Sequence, residues 1–282
     1  MKVTIAVVQT VLDRSERCHK INMERASGYI DDAVSAGAQI VCFPETYPGP
    51  WKEPMDFSPH EELAAKAREK GIYLLYGTAE KAEGHPGRHR IVEVLIGPQG
   101  QTVGKYMRTS PLGPWIYPKS SLWDLNYLEA DELPVFETEL GTIGIIICSE
   151  VYVPELSRIL AVKGAEIIFM PAGAYKAQLY DSWRTLIWAR AIENLAYTAT
   201  CQNLLGAEDG LAMIAGPEEV LAESADECVL VATVDLDRAR KLREMDDVYT
   251  MPLPFRTKPG IFRKWRRPEI YGELTVPRGV KL

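Results

Sequence analysis

The stretch that decides the fold is Ser35-Ala-Gly37-Ala-Gln-Ile-Val-Cys-Phe-Pro-Glu45. It combines the end of a helical pattern, a glycine, and a short run of apolar residues. The glycine suits the left-handed backbone conformation that closes many helices. The following run is apolar without alternation, which is typical of a strand buried on both faces. The same unit recurs at 68–77 and 161–171, so we expect a repeating helix–strand arrangement.

Strand and helix patterns alternate along the whole chain, which predicts an α/β protein. No linker rich in Ser, Gly or Pro divides it, so we predict one domain over residues 1–250. A C-terminal tail over 251–282 is expected to pack across a subunit interface. Further predicted strands are Val3–Val8, Ile91–Ile96, Thr142–Cys148, Tyr197–Gln202, Leu211–Ala215 and Val229–Leu236. Predicted helices are Lys20–Ala36, Pro154–Lys163, Asp181–Asn194 and Asp237–Arg243.

Composition excludes several classes of protein. Apolar residues are 46% and charged residues 25% of the 282, as in ordinary globular proteins. The net charge of −7 does not favour a nucleic-acid partner. No apolar run approaches the roughly 18 residues of a membrane span. Five scattered cysteines and a strand-like start without signal-peptide features predict a reduced, cytoplasmic protein.

The helix predicted over Asp181–Asn194 is apolar nearly all round. One stripe contains Trp183 and Ile187, and a second contains Trp188 and Ile192. A helix with this pattern packs against neighbours on two sides. We therefore expect a homodimer or a higher homo-oligomer.

Motifs for cofactors and metals are missing from the sequence. There is no Gly-x-Gly-x-x-Gly fingerprint, no Gly-x-Ser-x-Gly elbow and no phosphate loop. The glycine cluster around Pro98–Gln101 is better explained as a hairpin turn. His85 and His89 lie in a Gly/Pro-rich loop, which favours a solvated turn over a metal pair. We predict no cofactor and no metal.

Three polar residues stand beside runs that otherwise resemble buried strands. Glu45 and Cys148 each end such a run, and Lys105 follows Thr102-Val-Gly104. In parallel α/β folds the carboxyl ends of strands are the usual place for chemistry. A thiol, a carboxylate and a cation together suit nucleophilic catalysis. Taken singly, each also has a structural explanation, as a buried cysteine or a solvated charge.

With these residues in view, the sequence resembles the nitrilase (carbon–nitrogen hydrolase) superfamily over nearly its whole length. The motifs that carry the resemblance are Val3-Thr-Ile-Ala-Val-Val-Gln9, Phe43-Pro-Glu45, Gly104-Lys105-Tyr106, Gly144-x-x-x-Cys148, Pro154-Glu155, Arg190-Ala-Ile-Glu-Asn194, Gly216-Pro217 and Arg266-Arg-Pro-Glu-Ile-Tyr271. The resemblance implies a four-layer αββα sandwich that dimerises into an eight-layer core.

The resemblance also implies a mechanism. Glu45 would be the general base, Lys105 the stabiliser of the oxyanion, and Cys148 the nucleophile that forms a thioester. The substrate would be a small amide or N-carbamoyl compound, hydrolysed with release of ammonia or an amine. The family commonly has a second glutamate between lysine and cysteine, but residues 107–128 contain none. Asp124 is the carboxylate nearest to the expected place.

Other candidates for substrate binding are aromatic or acidic residues near the three site residues. They are Tyr47, Trp51, Trp115, Tyr117, Glu150, Tyr152 and Tyr175. Three alternatives to the amidohydrolase stay open: a nitrilase that uses the same residues, a catalytically weak binding protein, and an enzyme that transfers the acyl group to an acceptor other than water.

Overall fold

Two mixed β-sheets lie at the centre of the structure, a computed structural model that describes residues 1–50, 56–110, 126–173, 179–204, 210–245 and 260–276. The first sheet contains β1 (Lys2–Val11), β2 (Ile40–Cys42), β3 (Tyr73–Lys81), β4 (Arg88–Ile96), β5 (Thr102–Met107), β6 (Asn126–Tyr127), β11 (Asn203–Leu204) and β14 (Cys228–Asp235). The second contains β7 (Val135–Thr138), β8 (Gly141–Ile145), β9 (Ile167–Phe169), β10 (Tyr197–Thr200), β12 (Ala212–Ala215) and β13 (Val220–Ser224). The helices of these ranges are α1 (Cys18–Ser35), α2 (His60–Lys70), α3 (Pro154–Val162), α4 (Tyr180–Asn194) and α5 (Leu236–Glu244).

Each sheet combines a parallel centre with antiparallel strand pairs beside it. In the first sheet β1, β2 and β3 are parallel, and β4 and β5 continue it as an antiparallel hairpin. In the second sheet β8, β9 and β10 are parallel. The loops beyond the carboxyl ends of these parallel strands are where ligands bind in folds of this class.

Three buried apolar clusters divide the molecule into layers. The first joins the facing surfaces of the two sheets, with Ile5 and Leu75 from one and Ile143 and Phe169 from the other. The second packs α1 and α2 on the outer face of the first sheet. The third packs α3 and α4 on the outer face of the second sheet. The predicted α/β class is confirmed, with helices outside two sheets.

A glycine follows the helix in each predicted helix–strand unit, as expected. Gly37, Gly71 and Gly164 have φ angles of 86°, 65° and 107°, in the left-handed region. The predicted turn at Pro98–Gln101 is also present, because Gly97 N–H donates to the Gln101 carbonyl at 2.8 Å between β4 and β5. Strands β7 and β13 were not predicted as strands, since they are short and only partly apolar.

Helix α4 has one fully covered face. Trp183, Ile187 and Ala191 are buried against the second sheet. Trp188 and Ile192 of the second stripe are only partly buried in the single chain. None of the described helices combines the length and the apolar character needed to cross a membrane.

Candidate active site

Glu45 lies three residues after β2, and its side chain is fully buried. One carboxylate oxygen accepts a hydrogen bond from Nη1 of Arg108 at 2.8 Å. The other accepts one from the main-chain N–H of Gly173 at 2.9 Å. The side-chain amide of Asn203 donates to the main-chain carbonyl of Glu45 at 2.8 Å. Because Arg108 follows β5 of the first sheet and Gly173 follows β9 of the second, strand ends of both sheets hold this one carboxylate.

Gly77 on β3 has no side chain, which leaves room for the sharp turn after Glu45. Thr46 has a φ angle of 55°, so the chain bends sharply after Glu45. A Cβ atom on Gly77 would lie 2.1 Å from the Thr46 nitrogen and 2.8 Å from the Glu45 carbonyl carbon. Both distances are too short for any real side chain, so this close approach requires glycine at position 77.

Arg108 is the cation that contacts Glu45. It follows β5, and its side chain is only 3% exposed. Besides Glu45, it donates through Nη2 to the hydroxyl of Ser149. Burial opposes the charge on the guanidinium, but the negative charge of Glu45 raises the pKa of Arg108 overall. Arg108 therefore supplies a permanent positive charge next to a carboxylate and a thiol.

Lys105, to which the resemblance assigns this role, lies on the opposite face of β5. Its ammonium group pairs with Glu80 at 2.6 Å, and the side chain is 40% exposed. Tyr106, the next residue, faces the interior between the sheets. Because side chains alternate along a strand, Lys105 faces outward and Arg108 faces inward. The structure thus brings Arg108, and not Lys105, to Glu45.

Cys148 lies at a sharp turn from β8 into a short 3₁₀ helix, Cys148–Tyr152. Its φ angle of 53° is rare for a non-glycine residue, and such strain is concentrated at functional sites. Burial, and next the negative charge of Glu45, raise the pKa of the Cys148 thiol to about 12, while Arg108 opposes this shift. The resting thiol is therefore protonated, and it needs a base before it can attack.

Glu150 joins the Cys148 turn to the segment after β5. Its fully buried carboxylate accepts hydrogen bonds from the Ile147 N–H at 2.7 Å and the Tyr106 hydroxyl at 2.7 Å. It also accepts from the main-chain N–H groups of Thr109 at 2.7 Å and Ser110 at 3.0 Å. These donors occupy the carboxylate, so Glu150 positions the chain on both sides of the site. Its contact with substrate stays a prediction.

The other predicted binding residues divide into two groups. Tyr47 is fully buried on the helix side of the first sheet, and its hydroxyl donates to the Asn22 carbonyl at 2.9 Å. Tyr152 is 46% exposed and makes an edge-on contact with the Trp183 ring. The remaining candidates, Trp51, Trp115, Tyr117, Asp124 and Tyr175, lie outside the described residues.

Glu93 is a buried carboxyl group close to Glu45 that the sequence analysis did not select. It is fully buried on the inward face of β4, and neither of its oxygens has a hydrogen-bond partner in the described part of the chain. A Cβ atom on Gly77 would lie 2.7 Å from Oε1 of Glu93 and 2.8 Å from the Glu45 carbonyl carbon. Burial, and then the negative charge of Glu45, raise the pKa of Glu93 well above its usual value. The folded protein therefore holds Glu93 as the neutral acid.

We expect Glu93→Gln to change how stability depends on pH. Above the usual glutamate value of 4.5, the unfolded chain releases this proton and the folded chain keeps it. The free energy of unfolding then falls by about 1.4 kcal/mol for each pH unit until the raised pKa is reached. The glutamine side chain has no proton to release. As the pH rises above about 5, the melting temperature of the variant should therefore increase relative to that of the wild type, by about 2–4 °C for each 1 kcal/mol.

The control for this experiment is Glu137→Gln, which changes an exposed glutamate on β7. Its melting temperature should follow that of the wild type at every pH. A Glu93→Gln variant that also follows the wild type across the range would contradict a neutral Glu93 in the folded state.

One feature of the sequence could have identified both Arg108 and Glu93 as candidate site residues. Both are charged residues at inward positions of strands whose other inward residues are apolar or aromatic, namely Ile91, Leu95 and Tyr106. Residues of charged types are rarely fully buried, so a Glu or Arg at such a position is a candidate functional group. To use this feature, one must know which side chains of β5 point inward. A short strand with little alternation of apolar and polar residues does not reveal this.

Comparison with known proteins agrees with this fold. The sequence profile of the family described as Carbon-nitrogen hydrolase matches residues 4–244. A deaminated glutathione amidase of Synechocystis sp. (strain PCC 6803 / GT-S) is 28% identical over 243 residues, covering 79% of this chain and 89% of that protein. A nitrilase of Pyrococcus abyssi (strain GE5 / Orsay) is 30% identical over 254 residues, covering 81% of this chain and 89% of that protein.

Among solved structures, the crystal structure of a carbon-nitrogen hydrolase from Helicobacter pylori G27 matches with a TM-score of 0.77 at 20% identity, covering 98% of this chain and 99% of that one. This likeness extends over both sheets and their helices, and it confirms the expected type of fold. Since the family profile covers most of the sequence, the chain belongs to the carbon–nitrogen hydrolase family.

Proposed function

We propose that this protein is a thiol amidohydrolase that hydrolyses the C–N bond of a small amide or N-carbamoyl compound. The observation that carries the proposal is the buried ion pair of Glu45 and Arg108, whose charges both act on the Cys148 thiol. A base, a fixed cation and a thiol within one another's electrostatic reach are the groups that acyl transfer through a thioester requires.

In the proposed mechanism Glu45 takes the thiol proton while the Cys148 sulfur bonds to the acyl carbon. The electron pair of the C=O double bond moves onto the oxygen, and Arg108 stabilises the resulting negative charge. Glu45 then returns the proton to the nitrogen as the C–N bond breaks, so ammonia or an amine leaves. Water attacks the thioester with Glu45 as the base, the carboxylic acid departs, and the thiol regains its proton.

Arg108 replaces Lys105 in this mechanism. The guanidinium keeps its proton throughout, so it acts by charge and hydrogen bonding and not as an acid. The match to a protein named as an amidase supports an amide substrate. The match to a protein named as a nitrilase supports the second candidate, in which the same groups act on a nitrile and two waters yield the acid and ammonia.

A homodimer is part of the same proposal. Apolar side chains are exposed along the 3₁₀ helix and α3, including Tyr152, Ile159 and Val162, which are 46%, 41% and 46% exposed. The 3₁₀ helix and α3 both pack against α4, which carries the partly buried second stripe. A second copy would cover this surface, and the expected packing of the 251–282 tail across the interface belongs to the same prediction.

The test is a panel of aliphatic and aromatic amides, N-carbamoyl amino acids and nitriles, with ammonia release and loss of the parent compound both measured. We expect turnover of amides or N-carbamoyl compounds by the wild type and none by Cys148→Ala. Turnover of nitriles alone would replace the amidohydrolase with the nitrilase. Tight binding of panel compounds without turnover would favour a binding protein, and formation of hydroxamate with added hydroxylamine in excess of acid would favour acyl transfer.

A further inference from the structure

Tyr127 carries a buried hydroxyl that no protein group satisfies within the described part of the chain. The residue is 7% exposed and its ring belongs to the apolar cluster between the two sheets. Buried polar groups nearly always have a partner, because leaving one unpaired is costly. A group of this kind needs an explanation.

The backbone holds Tyr127 firmly beside Arg108. In the register of β6 with β4, Tyr127 is opposite His89. The Leu128 N–H donates to the His89 carbonyl at 2.7 Å, and the Ala130 N–H donates to the Arg108 carbonyl at 3.2 Å. The position of Tyr127 is therefore fixed by main-chain hydrogen bonds of the residues that follow it.

The Tyr127 hydroxyl lies near Glu45 and Arg108, the proposed catalytic pair. Burial raises the pKa of the Tyr127 phenol, the negative charge of Glu45 raises it further, and Arg108 lowers it. The phenol is thus close enough to both groups to sense their charges, and it keeps its proton. Arg108 itself has a buried Nε–H without a partner among the described residues. Two proton donors at this site are therefore unused by the described residues of the free protein.

We propose that Tyr127 is a catalytic residue that donates a hydrogen bond to the acyl oxygen of the substrate, alongside Arg108. Both groups offer a proton, so the ligand atom that suits them is an acceptor that gains negative charge. The acyl oxygen becomes such an atom when the Cys148 sulfur bonds to the carbon. This inference rests on the proposed function and adds to it a second side-chain donor, a neutral phenol located in the 107–128 segment that lacks glutamate.

The test compares Tyr127→Phe with the wild type in three measurements. The first is kcat and KM for the amide that the panel identifies. The second is the dissociation constant for butyraldehyde, which forms a tetrahedral adduct with a thiol and carries the same oxyanion. The third is the melting temperature of the free protein. We expect kcat to fall about 10- to 100-fold with little change in KM, because the bond strengthens as the charge develops.

We also expect butyraldehyde to bind about 10-fold or more weakly to Tyr127→Phe, and the free variant to melt no lower than the wild type. The last result separates this role from a structural one, since a hydroxyl that supports the fold would lower the melting temperature on removal. Tyr197→Phe is the matched control: its buried hydroxyl donates to the Asp235 carbonyl at 3.0 Å. That variant should lose stability and keep kcat.

Wild-type kcat and butyraldehyde affinity in Tyr127→Phe would overturn the proposal, as would a lower melting temperature with unchanged kcat. Cys148→Ala, measured in parallel, distinguishes this failure from failure of the proposed function. If butyraldehyde binding is lost in Cys148→Ala but unchanged in Tyr127→Phe, the thiol mechanism stands and the role of Tyr127 is wrong.

Discussion

Replacement of Cys148 with alanine is expected to abolish hydrolysis and the covalent intermediate together. The thiol has a pKa of about 12, so Glu45 must take its proton during the attack. Without the sulfur no thioester forms, and the remaining groups only bind the substrate. We expect a loss of about 10⁴-fold or more in kcat, the size seen when a nucleophile is removed from an enzyme that acts through an acyl intermediate.

The intermediate can be measured directly. Wild-type protein quenched in acid during turnover should gain the mass of the acyl group on the peptide that contains Cys148, and Cys148→Ala should not. Cys228→Ala is the matched control, because Cys228 is also partly exposed but lies on β14. It should keep both turnover and acylation. Hydrolysis that survives in Cys148→Ala would disprove the thiol mechanism.

Replacement of Arg108 with methionine is expected to lower kcat/KM by about 100-fold or more, the usual cost of one group that stabilises an oxyanion. The change removes the positive charge and leaves Glu45 buried without its partner. Breaking a buried ion pair in this way destabilises proteins by about 3–5 kcal/mol. The melting temperature should therefore fall as well, and activity must be measured well below it.

Arg108→Lys separates catalysis from folding, since it keeps a charge beside Glu45 but loses the forked geometry of the guanidinium. We expect this variant to fold and to retain more activity than Arg108→Met. Lys105→Met is the control, because the exposed pair of Lys105 with Glu80 contributes only about 0–1 kcal/mol. If kcat/KM falls about 100-fold in Lys105→Met and is unchanged in Arg108→Lys, then Lys105 and not Arg108 stabilises the oxyanion.

Glu45 and Cys148 could be predicted from the sequence because the signal for each is local. Both end an apolar run in which a polar residue is unexpected, and both runs fit strands of a parallel sheet. The convergence of their carboxyl ends then follows from the α/β class. The structure agrees with this expectation, since Gly173 and Asn203, beyond two other strands, hydrogen-bond to Glu45.

The aromatic and acidic candidates could not be assigned in the same way. Tyr47 and Glu150 lie within a few residues of Glu45 and Cys148, and both are fully buried. Tyr47 extends to α1 on the outer side of the first sheet. Glu150 is held by donors from the segment after β5. Proximity in sequence does not specify which direction a side chain takes after a sharp turn.

The identity of the cation depends on one irregularity in the β4–β5 hairpin. Leu95 pairs with Gly104 but Ile96 pairs with Thr102, so the register shifts by one residue between them. In an uninterrupted ladder Lys105 would be opposite Glu93 on the inward face. The shift instead puts Tyr106 opposite Glu93, which directs Lys105 outward and Arg108 inward. A shift of one residue exchanges the two faces of a strand.

By itself the sequence determined the α/β class, the helix ends at glycine, the family, and the two candidate site residues that end buried strands. These depend on the period of apolar residues and on the left-handed conformations of glycine, which are properties of neighbouring residues. Only the tertiary structure decided that Arg108 pairs with Glu45 and that Glu93 and Tyr127 are buried beside them. Those results depend on the register between two strands and on the packing of one sheet against another, which join residues far apart in the chain.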